Sequence, residues 1–223
     1  LSGGTIAVFV DVHVPSNRGQ ALYVSGEGTK LTASNFSANH NRIHPQVYSQ
    51  AITAGSFDYT GAVEVVEGAL VLLEEFTIGG NEFVGLLVRN GARAHLRSGT
   101  ISSTKWFSTT GKLYGGRNLV ILYESTVEVH DIMVEGAESV GIHINESYFS
   151  GSNLQIHDNP IGVYETQQPE TAYDFFECVH NLEMMNNSVN FGGAVLPVPD
   201  PEDILGTDEQ DAEAAYCPVV PLE

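Results

Sequence analysis

Val84-Gly85-Leu86-Leu87-Val88-Arg89-Asn90 is a short β-type phrase that recurs along the chain. It reappears as Leu119-Val120-Ile121-Leu122-Tyr123-Glu124, as Val140-Gly141-Ile142-His143-Ile144-Asn145 and as Ile161-Gly162-Val163-Tyr164-Glu165. Leu119 and Val140 stand 21 residues apart, as do Val140 and Ile161. A fixed period near 20 residues, carried by short strands, marks a solenoid. Each unit is too short to bury an apolar face alone. Stacked on its neighbours, it contributes one layer to a continuous core.

Working outward, Gly61–Ile78 matches Val84–Ile101 at a shift of 23 residues. Val63 then meets Leu86, Val65 meets Val88, Leu73 meets Leu96, and Thr77-Ile78 meets Thr100-Ile101. Leu119–Glu135 matches the early coil of Leu22, Val24, Leu31 and Phe36 at a shift of 98. At the start, Ile6, Val8, Val10, Val12 and Val14 alternate and predict a strand with those five residues on one face.

Two insertions delay the repeat, at roughly 40–60 and 103–118. Each follows the third strand of a coil and precedes the first strand of the next. Both are therefore expected at the same corner, where repeat proteins often place a binding face. After Asn190 the pattern stops. Pro197, Pro199 and Pro201 lead into the acidic run Asp208–Glu213, which reads as a tail.

This pattern resembles the right-handed parallel β-helix, the pectin-lyase-like fold, from roughly Thr5 to Asn190. The expected architecture is all-β, a single-stranded helix of about six or seven coils spanning residues 1–190, with an irregular tail at 191–223. A β-sandwich would need longer strands and hairpin signals between them. Its one candidate, Arg89-Asn90-Gly91, falls inside a repeat. The resemblance implies a choice between polysaccharide lyase, glycoside hydrolase and a non-catalytic binding module. The Asn-Thr-Asp, Asp-Asp, Gly-His-Gly and Arg-Ile-Lys motifs of galacturonan hydrolases are absent, as is the Trp-x-Asp-His phrase of pectate lyases.

Composition narrows the partners. Nine Lys and Arg stand against 28 Asp and Glu, a formal charge of −19. Such a surface repels phosphate backbones and anionic lipid, which excludes nucleic acid as a partner. No apolar stretch approaches the roughly 18 residues of a membrane span. The chain opens on Leu1 rather than Met, so it is expected to be part of a longer polypeptide. Cys178 and Cys217 have no metal-ligand spacing. They predict a disulfide that straps the tail, the alternative being two buried thiols.

The candidate ligand-binding residues lie in the insertions. The second carries Lys105, Trp106, Lys112, Tyr114 and Arg117, including the only Trp of the chain. The first carries Arg42, Tyr48 and Tyr59. Aromatic faces match the C–H surface of a sugar, and Arg or Lys pairs with its carboxylates. Asp131 and Asp158, preceded by His130 and His157, are expected at equivalent turns of neighbouring coils, as an acid/base set or as ordinary turn residues. His40 and His44 have helical zinc spacing, but Pro45 ends any helix there. No catalytic residue, cofactor or metal ligand is assigned. The sequence points to a secreted or cell-surface module that binds a glycan or surface partner without catalysis. A carbohydrate-active enzyme is the rival reading, and a structural spacer the third.

Overall fold

In a computed structural model, the described residues are 1–43, 60–109, 112–167, 173–193 and 217. The chain alternates between two parallel sheets. It begins with β1 (Ile6–Pro15) in the first sheet and β2 (Leu22–Ser25) in the second. β3 (Lys30–Asn39), β4 (Val63–Val66), β5 (Leu70–Gly79), β6 (Val84–Arg89) and β7 (Arg93–Ser102) continue the alternation. An antiparallel hairpin, β8 (Trp106–Thr109) and β9 (Lys112–Gly115), interrupts it. It resumes with β10 (Arg117–Leu122) in the second sheet, then β11 (Thr126–Glu135), β12 (Val140–Asn145), β13 (Tyr148–His157) and β14 (Ile161–Gln167). A four-residue helix α1 (Phe175–Cys178) precedes β15 (Val179–Met185) and β16 (Val189–Gly193). The result is an all-β chain with two seven-stranded parallel sheets, consistent with a solenoid-like stack.

The core lies between the sheets, in columns that run across the strands. Val24, Val65, Val88, Ile121 and Ile144 form one such column, each buried. Leu31, Val71, Ala94, Val127 and Phe149 form another. At one end α1 closes the stack. Asp174 caps it by accepting from the amides of Phe176 and Glu177, and Phe175 stacks on Phe149 with ring centres 5.6 Å apart. The disulfide Cys178–Cys217 is formed, and Cys178 is buried beside this aromatic group.

Every ten-residue strand of the first sheet bends at its sixth residue, which adopts a left-handed backbone. The column is Asp11, Asn35, Glu75, Ser98, Asp131 and Asn153, with φ between 49° and 58°. Asn and Asp tolerate this conformation because their short side chains hydrogen-bond locally. Asn35 Nδ2 donates to Asp11 Oδ1 at 2.6 Å, and Asn153 Nδ2 to Asp131 Oδ1 at 2.7 Å. The bend also resets the alternation, so inward positions change phase across it.

That reset corrects the reading of β1. Ile6, Val8 and Val10 precede the bend at Asp11 and point to solvent, 76%, 70% and 61% exposed, while Ala7 and Phe9 turn inward. After the bend Val12 and Val14 turn inward instead. The five residues therefore do not share a face.

Two register expectations also change. The shift of 23 between Gly61–Ile78 and Val84–Ile101 holds, with Val63 opposite Leu86 and Leu73 opposite Leu96. Val140 does stand opposite Ile161. Leu119, however, stands opposite Ile142, not Val140, because β10 starts two residues earlier, at Arg117. The shift of 98 fails as well: the column through Leu22 reaches Leu119, and the column through Leu31 reaches Val127. Val120 and Leu122 consequently face outward, since a one-residue slip exchanges the two faces of a strand.

Candidate functional site

The outer face of the second sheet carries one row of side chains across the strands: Tyr23, Glu64, Leu87, Val120, His143 and Tyr164. Outward positions on a sheet are normally wet and polar. Here Leu87 and Val120 are fully buried. The hairpin covers them. Phe107 and Tyr114 pair across it and pack with Phe83, Leu87, Val120 and Leu122 in a second hydrophobic cluster, separate from the main core. Gly115 permits the close approach: a Cβ there would lie 2.4 Å from the carbonyl oxygen of Phe83, and φ is +78°.

Side chains alternate across a hairpin, so its other face presents Trp106, Ser108 and Leu113. Leu113 is 60% exposed, and Trp106 is half-buried. The Trp106 ring lies along Gly116, and its backbone amide donates to Glu138 Oε2. Tyr114, by contrast, turns toward the second cluster while remaining partly exposed.

The other expected residues fall around this face. Lys105 is exposed and bridges by backbone to the Glu82 strand entry. Arg42 is 74% exposed, with Nε 4.0 Å from Glu82. Arg42, Ile43, Gln20, Asn41 and Glu82 help to line a cavity of about 180 Å³. Lys112 belongs to β9, and its side chain lies outside the described set. Tyr48 and Tyr59, with His44, lie outside the described residues.

Arg117 contacts His143. Arg117 Nη1 approaches His143 Nδ1 at 3.0 Å, and His143 Nε2 approaches Thr166 Oγ1 at 3.2 Å. Burial, reinforced by the Arg117 charge, pushes the His143 pKa down to about 3. His143 is thus neutral at ordinary pH, accepting from Arg117 through Nδ1 and donating to Thr166 through Nε2–H. On the other side of the hairpin, Glu64 is nearly enclosed. Arg89 and Gln20 donate to its carboxylate, yet burial dominates and raises its pKa.

Asp131 and Asp158 do not occupy equivalent turns. Asp131 sits in the left-handed column and bonds Asn153, whereas Asp158 stacks beyond Glu135 near Gly136. The sequence reading missed Leu113, the Glu64–Arg89 pair and a cluster of His95, Glu128 and His130 on the first sheet. The first is visible only once the hairpin is known. The other two require the strand register. Among the described residues no helix is long and apolar enough to cross a membrane. No protein-family model and no curated protein matches the chain.

Proposed function

We propose that the chain is a right-handed parallel β-helix of the pectin-lyase-like type, and that it is a secreted or cell-surface module which binds a glycan without catalysis. In this reading residues 1–190 are the helix and 191–223 a tail held by the disulfide. The glycan lies along the outer face of the hairpin, against Trp106 and Leu113, with Lys105 and Arg42 beside it for carboxylate or hydroxyl groups. The observation that carries the reading is the orientation of the hairpin. It spends Phe107 and Tyr114 on the protein and leaves the only Trp of the chain and a 60% exposed Leu on the outside. An aromatic face next to an apolar edge matches the alternating C–H and O–H surface of a sugar ring. The ordinary expectation for exposed hairpin positions is polar. The disulfide is compatible with an oxidising compartment.

A glycan array on the wild type, Trp106→Ala and Leu113→Ser tests this. The wild type should retain a defined set of glycans, Trp106→Ala should lose about fivefold or more in affinity, since stacking on an aromatic side chain contributes on the order of 1–3 kcal/mol, and Leu113→Ser should weaken binding as well. Uronate-lyase and reducing-sugar assays on the same glycans should stay flat. Turnover would favour the enzyme reading, and an array without binding would remove the glycan.

A further inference from the structure

On the outer face of the first sheet, His95 and Glu128 stand directly opposite each other on β7 and β11. His130 lies two residues beyond Glu128, on the same face. One donor atom from each of the three lies within 4.8 Å of the others. His130 Nε2 is 2.8 Å from Glu128 Oε1, and His95 Nδ1 is 3.6 Å from Glu128 Oε2. His95 is only 4% exposed, and its Nδ1 makes no hydrogen bond. An unmet polar atom buried beside a carboxylate is costly and calls for a reason.

We propose that His95, Glu128 and His130 form a binding site for a divalent transition-metal ion of the zinc class. Two imidazoles and one carboxylate, with a further position open to water, are a donor set that suits zinc, cobalt, nickel and copper rather than calcium. Tetrahedral ligands on zinc stand about 3.4 Å apart, so the widest of the present donor separations must close by up to about 1.4 Å, while the 2.8 Å His130–Glu128 contact opens slightly. Binding is independent of the glycan reading, because it uses the opposite sheet.

The surrounding groups supply the proton accounting. Without metal, Arg97 Nε donates to His95 Nε2 at 2.8 Å, which places the ring proton on Nδ1. On binding, that proton is relocated through solvent to Nε2, Nδ1 presents its lone pair to the ion, and Arg97 swings away. Arg97 is exposed, and Glu74 stands opposite it on β5 as an alternative partner. His130 likewise moves its proton from Nε2 to Nδ1, where Ser152 Oγ at 3.0 Å accepts it. Such outer partners fix the tautomer of a ligating histidine. Both rings stay neutral throughout, and no net proton is released.

The test is isothermal titration of the whole chain with zinc chloride, and with cobalt chloride to read the visible spectrum of the bound ion. The expected result is one zinc per chain, weakened about 100-fold or more in His130→Gln and Glu128→Gln. Arg97→Gln should bind at least about tenfold more tightly, because the competing guanidinium is gone. His130 is a third exposed, so its variant is expected to fold, which circular dichroism checks. A wild type that binds no zinc below millimolar concentration overturns the proposal. So does zinc binding that His130→Gln leaves unchanged but His40→Gln with His44→Gln removes. An Arg97→Gln variant that binds more weakly overturns the displacement of Arg97.

Discussion

Glu64 and Arg89 form an ion pair across adjacent strands, with Arg89 Nη2 at 3.0 Å and Nε at 3.2 Å from the same carboxylate oxygen. Their side chains are 3% and 21% exposed. Burial raises the Glu64 pKa above 4.5, against the opposing pull of Arg89 and Gln20. Relative to the unfolded chain, the fold therefore favours the protonated carboxyl. That contribution is complete below the unfolded value and is lost as pH rises through the higher folded value. Above it, Arg89 is what makes the buried carboxylate tolerable. Arg89→Met should cost roughly 3 kcal/mol at about pH 7.5, where Glu64 must either stay charged without its partner or take up a proton from a dilute supply, and clearly less near pH 4.5, where protonation is easy. Urea unfolding of both proteins at the two pH values reads this. An equal penalty at both would contradict it.

The glycine of the repeated phrase has a packing role. Gly85, Gly141 and Gly162 lie in one column, broken by Asn118. A Cβ on Gly141 would lie 2.7 Å from the carbonyl oxygen of Gly162 and 3.1 Å from the Asn159 side chain. A Cβ on Gly162 would meet the carbonyl oxygen of Asn190 at 2.7 Å and the Asn187 side chain at 3.2 Å. In both cases the nearest neighbour is a backbone carbonyl, and at Gly141 the side chain in the way, Asn159, is buried. Gly141→Ala and Gly162→Ala should each destabilise by about 1–3 kcal/mol through overpacking. The denaturation midpoint should fall with an unchanged slope. A neutral result at both sites would mean that the phrase keeps glycine for another reason.

The same column explains how far the sequence could be read. Repetition of inward Val, Leu and Ile is a local signal, and it revealed stacked parallel strands and the Val63–Leu86 register. At β10 the signal misled, because Arg117-Asn118 replaces the Val-Gly opening and the apolar phrase starts only at Leu119. A two-residue slip keeps the same face inward, so hydrophobicity alone cannot detect it. The bend at Asp11 was hidden because Ile6 to Val14 alternate without a break in the sequence. The hairpin face was half legible: Trp106 and Tyr114 are conspicuous, but only the pairing of Phe107 with Tyr114 says which one turns inward. His95 and Glu128 come together solely through the register of β7 and β11, which no local pattern encodes.

Asn159 supports the corner between the sheets. It is buried at 2% exposure, accepts from the Ala137 amide at 3.0 Å and donates to His157 O at 2.7 Å and Asn187 Oδ1 at 3.1 Å. Asn41 and Asn81 make the same kind of rung further down. Where Thr104 and Ala137 lack the side chain, Asn118 reaches in from β10, accepting from Thr104 N and donating to Glu135 O. Asn159→Ala removes the partner of a buried amide, which costs about 2–3 kcal/mol. Hydrogen exchange at the Ala137 amide should accelerate more than at amides in the centre of β11. Uniform protection would show that water or a shifted backbone fills the gap.

The disulfide joins residues 39 positions apart and ties Cys217 to the end of the core at α1. Closing a loop of that length removes unfolded-chain entropy equivalent to about 4 kcal/mol. The native contribution is local, because Cys178 is buried among Phe175, Phe149 and Val179, whereas Cys217 is exposed. Reduction should therefore lower the stability of the whole chain by several kcal/mol without changing the strand content seen by circular dichroism. Cys217→Ser should reproduce the loss. Cys178→Ser should cost more, since it also places a hydroxyl in an apolar pocket. Urea unfolding with and without reductant, alongside free-thiol titration of the unfolded chain, separates these effects. Two titratable thiols in the unreduced protein would remove the link between Cys178 and Cys217.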